Sequence, residues 1–150
     1  MRETSARPVR ATRADFRRFV TVTTRWNDND VYGHVNNAVY FTYFDSAANQ
    51  LLVEAGLLDP AGSEVVGLVV ETACTYFSSV AFPQKLDVGV RADHIGTASV
   101  RYGLAIFTQG EDLAAAQGAF THVYVERASQ RPVAIPANFR AHLETLRHIV

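Results

Sequence analysis

Between Tyr40 and Ala55 the apolar residues Tyr40, Phe41, Tyr43, Phe44, Ala47, Ala48, Leu51, Leu52 and Ala55 recur at three- and four-residue steps, and the pattern stops at Gly56. This spacing predicts a helix of about five turns closed by a glycine cap. Tyr40, Phe44, Ala47 and Leu51 cover one face, while Phe41, Ala48, Leu52 and Ala55 cover the next. The apolar stripe is therefore wider than a surface helix needs, and other elements must wrap around it.

The rest of the chain supplies the wrapper. Phe19 to Thr23 reads as a strand before the helix. A long β-prone run goes from Val65 to Glu71 and on through Thr75-Tyr76-Phe77. Leu86, Val88, Val90 and Ala92 alternate with polar or small residues, as do Val100, Tyr102, Leu104 and Ile106, and Gln117 to Val125 follows the turn at Gln109 to Asp112. Short turns between these last four strands make antiparallel neighbours the expectation. Pro132 and Pro136 then break the chain before a short amphipathic helix over Asn138 to Leu146. The order implies an α+β fold, a strongly curved antiparallel sheet wrapped around one long central helix. Open sheet edges would be closed by pairing across the axis of a homodimer.

A chain of 150 residues suits one domain. A net charge of −1 gives no bias toward nucleic acid or an anionic membrane surface, and no apolar run approaches the roughly 18 residues of a membrane span. The single cysteine, Cys74, excludes an internal disulfide and suits a reducing cytoplasm. Six of the 14 basic residues, Arg2, Arg7, Arg10, Arg13, Arg17 and Arg18, fall in the first eighteen positions. Residues 1–18 are thus expected as a flexible tail that folds over a partner subunit, with 19–150 as the folded domain. An Arg-rich, acid-poor start also matches an organelle transit peptide in composition.

The chemistry concentrates in Arg25-Trp26-Asn27-Asp28-Asn29-Asp30-Val31-Tyr32-Gly33-His34-Val35-Asn36-Asn37, between the first strand and the helix. Two carboxylates, an imidazole, carboxamides and a glycine turn meet a helix start, whose free N–H groups stabilise negative charge. Such a junction can hydrolyse an activated acyl group. Asp28 reads as a turn former or a partner of Arg25.

Arg25-Trp26, Asp28-x-Asp30-x-x-Gly33-His34-Val35-Asn36-Asn37 and Tyr40-x-x-Tyr43-Phe44-Asp45 together resemble the hotdog-fold acyl-CoA thioesterases of the 4-hydroxybenzoyl-CoA thioesterase type. The resemblance extends more loosely over the order of elements from Phe19 to about Leu146. It implies that Asp30 is the catalytic carboxylate, as general base or as nucleophile, consistent with the needs of thioester hydrolysis. It places the thioester oxygen at the backbone N–H of Asn37, with Gly33 permitting a close approach and an unusual backbone angle. His34 would orient Asp30, position water or contact the acyl group, or simply bond backbone in the turn. Asn36 and Tyr40 are candidates for the substrate side of the site, against ordinary roles as helix cap and core residue. In a dimer, Glu71 and Thr72 could reach the partner's site, and Asp45 or Asn49 are helix positions where related branches carry a carboxylate.

Coenzyme A carries phosphates, so Arg91 and Arg101, with Lys85 and Arg127, are candidates to hold them, and Ser99, in the Gly96-Thr97-Ala98-Ser99 turn, is a candidate beside the pantetheine arm. Acyl-carrier protein bears the same arm and is an alternative partner. No metal ligand set or redox cofactor is indicated, since His94, His122, His142 and His148 lack ligand spacing. The expected activity is release of a carboxylic acid and free coenzyme A from an acyl-CoA in the cytoplasm. A hydroxyacyl-thioester dehydratase or hydratase, using His34 for the proton, and a non-catalytic acyl-thioester binder are the alternatives.

Overall fold

The computed structural model describes residues 6–148. Strand β1 (Arg18–Thr23) leads through the polar junction to helix α1 (Val39–Glu54). Strands β2 (Val65–Tyr76), β3 (Lys85–Ile95), β4 (Ser99–Thr108) and β5 (Ala116–Glu126) follow, then helix α2 (Ala137–Thr145). The five strands form one antiparallel sheet in the order β1-β3-β4-β5-β2. Antiparallel pairing agrees with the short turns after β3 and β4. β2, however, does not pair with β3, which follows it in the chain; the segment 77–84 crosses the sheet and leaves β2 beside β5 at the far edge.

The core lies between α1, α2 and one face of this sheet. Phe44, Ala47 and Ala48 of α1 and Leu143 of α2 are buried against Leu86, Val88, Val90, Leu104 and Ile106, so both helices cover the same face. α1 has 16 residues, about four and a half turns, and begins at Val39, one residue before the periodic apolar stretch, after the chain turns at Asn37 and Ala38. Its end follows the sequence expectation. Gly56 adopts φ +71 while Leu57 N–H donates to Leu52 C=O at 2.9 Å and Gly56 N–H to Val53 C=O at 3.0 Å, which satisfies the last carbonyls. No helix among the described residues is long and apolar enough to cross a membrane.

Residues from Arg7 onward depart from the flexible tail expected of them; residues 1–5, with Arg2, lie outside the described residues. Phe16 is buried on the sheet face away from the helices, edge-on to Phe107 at 5.7 Å, in a small second core with Ala11, Ala105 and Ala114. Arg13 pairs with Asp87 at 2.9 Å, and the Ala11 N–H donates to Gln117 Oε1 at 2.7 Å. The few apolar residues of this segment, spaced without helical or strand period, anchor it to its own sheet. Each edge strand lacks a second strand neighbour, and on β2 Leu68, Val69 and Val70 are exposed.

Candidate active site

The junction folds as two successive turns. The first is built on Asp28, whose side chain is 1% exposed. It accepts the Arg25 backbone N–H at 2.9 Å, the Arg25 guanidinium at 3.0 and 3.1 Å and the Tyr43 hydroxyl at 2.7 Å. Burial pushes this carboxyl up, but the hydrogen bonds from Tyr43 and Arg25, with the Arg25 charge, outweigh it and hold the group below its ordinary value. The same contact, added to burial, pushes the Tyr43 hydroxyl well up, so it stays a donor. Asp28 is therefore committed to holding the loop on α1, as its sequence position suggested. The part of Tyr43 was missed because helical periodicity assigned it to the core.

The second turn carries Asp30. Gly33, at φ +80, donates its N–H to Asp30 C=O at 3.1 Å, and Asp30 N–H donates to His34 C=O at 2.8 Å. The unusual angle expected of Gly33 is thus what closes this turn. Asp30 Oδ1 accepts the Tyr32 N–H at 2.8 Å, and among the described residues its carboxylate takes no other hydrogen bond. The second oxygen remains available to a substrate or a water.

Asp30, His34, Asn37 and Tyr40 line one cleft of about 490 Å³ together with Tyr32, Val35 and the segment Tyr76 to Ser79. Asn36 does not line it. Its side-chain oxygen instead accepts the Ala38 N–H at 3.0 Å, and its carbonyl the Val39 N–H at 2.9 Å, so its work is at the helix start. The Asn37 carbonyl accepts the Tyr76 hydroxyl at 2.6 Å, and among the described residues the Asn37 N–H has no acceptor. Asp30 and Asn37, a residue with a carboxylate and one with an unsatisfied backbone amide just before the helix, thus line one opening; a carboxylate and an amide are the two kinds of group needed to attack a thioester and to hold the charge that develops on its oxygen.

Of the far wall, Tyr76 and Phe77 are legible in the sequence as aromatic residues able to open or block an acyl cavity, while Ser78 and Ser79 are not. Tyr76 stands edge-on to the buried Tyr40 at 4.9 Å, and burial raises both hydroxyl pKa values. The segment that follows is stitched to the junction, Val35 N–H to Val80 C=O at 2.8 Å and Phe82 N–H to Asn29 Oδ1 at 3.0 Å, which brings Phe77, Ser78 and Ser79 to the cleft. Only the placement of β2 at the sheet edge makes that meeting possible.

Several sequence candidates lie elsewhere. Arg91 and Arg101 line a separate cavity of about 230 Å³ on the sheet face away from the helices. Arg91 is engaged with Asp93 at 2.7 Å and stacks over Phe16, and Arg101 lies 3.8 Å from Glu71. Strand alternation puts them on the outer face, so they do not join the Asp30 cleft of their own chain. Ser99 closes the β3–β4 turn, where its carbonyl accepts the Gly96 N–H at 2.8 Å. Arg127 holds the Pro60 and Ser63 carbonyls at 3.0 and 2.6 Å. Glu71 and Thr72 are exposed on β2, outside this cleft. Burial pushes the Cys74 thiol up to about 11, which suits a packed thiol rather than a nucleophile. Among the described residues no three His, Cys, Asp or Glu side chains cluster to hold a metal ion.

Comparison with known proteins bears on this geometry. The family model of the thioesterase-like superfamily matches residues 24–143. The PA5185 protein of Pseudomonas aeruginosa strain PAO1 is 49% identical and superposes with a TM-score of 0.91, over 93% of this chain and 98% of that one. The PA2801 protein of Pseudomonas aeruginosa, a candidate thioesterase, is 29% identical with a TM-score of 0.76, over 84% and 97% of the two chains. Slr0204, a 1,4-dihydroxy-2-naphthoyl-CoA thioesterase from Synechocystis, is 13% identical with a TM-score of 0.77, over 87% and 98%, a likeness of fold.

Proposed function

This chain belongs to the thioesterase-like superfamily, and from that premise we propose that it hydrolyses an acyl-CoA thioester to a carboxylic acid and free coenzyme A in the Asp30 cleft. The observation that carries the reading is the one cleft lined by both Asp30 and Asn37. Asp30 either removes a proton from the water that attacks the thioester carbonyl, or attacks it directly to give a mixed anhydride that water then opens. In both routes the Asn37 N–H supports the negative oxygen, the C–S bond breaks, and the thiolate leaves and is protonated. His34 and Tyr40 bound the acyl side. Asp30 and backbone amides suffice for these steps, so the reaction calls for no metal and no redox cofactor.

The exposed apolar edge of β2 supports a homodimer, or a tetramer built from it, in which β2 pairs with its counterpart and α1 becomes the central helix of a hotdog fold. Glu71 and Thr72 would then approach the second copy's cleft. We place the enzyme in the cytoplasm and its catalytic unit within residues 19–150, with coenzyme A favoured over acyl-carrier protein as carrier. The presence of His34 in the cleft supports a second reading, dehydration of a hydroxyacyl thioester.

Free-thiol release from short, long and aromatic acyl-CoA substrates tests the proposal. Turnover on any of them supports hydrolysis. No thiol release, together with loss of water from a β-hydroxyacyl-CoA that His34→Ala abolishes, would replace it with the second reading.

A further inference from the structure

The carrier's anionic end calls for a cationic partner, and the strand arginines lie outside the Asp30 cleft of their own chain. The N-terminal segment does. The Arg7 guanidinium lies 4.8 Å from the centre of the Phe77 ring and donates to Tyr76 C=O at 2.6 Å. The Arg10 guanidinium lies 5.8 Å from the same ring, donating to Ser78 Oγ at 3.2 Å and Ala114 C=O at 2.7 Å. Tyr76, Phe77 and Ser78 all line the cleft that holds Asp30.

Among the described residues neither arginine has a carboxylate within ion-pair distance, a state they share with Arg17, Arg18, Arg127, Arg131 and Arg140 but not with Arg13, Arg25, Arg91, Arg101 and Arg147; what sets them apart is their seat on Phe77 beside the cleft. Stacking on Phe77 and the bonds to backbone fix both guanidinium groups, yet each uses only part of its five N–H donors. Two preset, uncompensated guanidinium groups at one rim suit a polyphosphate, which planar forks bind in bidentate fashion. We propose that Arg7 and Arg10 form a clamp for the phosphates of coenzyme A at the Tyr76–Ser78 rim of the Asp30 cleft. The proposal rests on the thioesterase reading in taking coenzyme A as the carrier, and it gives the Arg-rich segment a part in substrate selection.

The test uses the full chain and its Arg7→Gln/Arg10→Gln variant. Rates are compared for an acyl-CoA and for the same acyl group on N-acetylcysteamine, which has the thioester without phosphates, and binding of free coenzyme A is followed by calorimetry. The clamp predicts that KM for the acyl-CoA rises about tenfold with kcat little changed, that the preference for acyl-CoA over the truncated thioester falls by about the same factor, and that binding of coenzyme A weakens to match. Arg7→Gln alone, which removes one exposed side chain and one backbone contact, should show a smaller shift in the same direction if the double variant loosens the segment. An unchanged preference and unchanged coenzyme A binding overturn the clamp while leaving hydrolysis intact. If neither thioester is cleaved by the wild type but coenzyme A binding still weakens in the variant, the catalytic reading fails and the clamp stands.

Discussion

The Tyr43 hydroxyl donates to Asp28 Oδ2 at 2.7 Å, tying the second turn of α1 to the loop that carries Asp30. Helix and loop are thereby set relative to each other, and with them the carboxylate and the amide that face the thioester. Tyr43→Phe removes the one neutral side-chain donor to a buried carboxylate, leaving the Arg25 backbone N–H and guanidinium. The expected cost is about 1.5–3 kcal/mol, read from chemical denaturation.

That contact also gives the fold a pH dependence. Asp28 is held below its ordinary value of 3.8 in the folded state, so its contribution to stability is complete above that value and is lost as pH falls through the lower folded-state pKa. In Tyr43→Phe the depression is smaller, so the variant has less of this contribution to lose. An acid titration of stability should show the gap between wild type and variant closing below about pH 4.

Tyr76→Phe tests the placement of the helix start. Without the 2.6 Å bond to the Asn37 carbonyl, the neighbouring amide is less well aimed at the thioester oxygen. Losing a donor outright costs about 10² to 10³ in rate, so misplacing one should lower kcat by roughly tenfold, with KM little changed. Steady-state kinetics on one acyl-CoA separates the two terms.

Gly33→Ala tests the turn beneath Asp30. A β-carbon there meets nothing within 4 Å, so the penalty comes from the left-handed backbone alone. A loss of about 1–2 kcal/mol is expected by thermal or chemical denaturation, accompanied by reduced kcat because the turn also aims Asp30. Gly33→Asn, which tolerates this angle better, should recover part of both.

The near wall of the cleft was readable because Asp30, His34 and Asn37 lie within eight consecutive residues and their types state their chemistry. α1 and the strands were readable because burial on one face imposes a period. The far wall, Tyr76 to Ser79, arrives from some forty positions away through a sheet order that local pattern does not specify. Alternation alone places Arg91 and Arg101 on the outer face, since Ala92, Val100 and Tyr102 beside them point inward. The seating of Arg7 and Arg10 left no such trace, because a guanidinium stacked on a ring and one in solvent have the same sequence signature.

The most direct test of the catalytic assignment is kcat for free-thiol release by Asp30→Asn beside the wild type on one well-turned-over acyl-CoA. Asparagine keeps an oxygen for the Tyr32 N–H and so preserves the turn, but it provides neither base nor nucleophile. A fall of roughly 10² to 10⁴ in kcat with an unchanged thermal midpoint is the predicted result. A folded variant that retains the wild-type kcat would contradict the assignment of Asp30 as the reacting carboxylate.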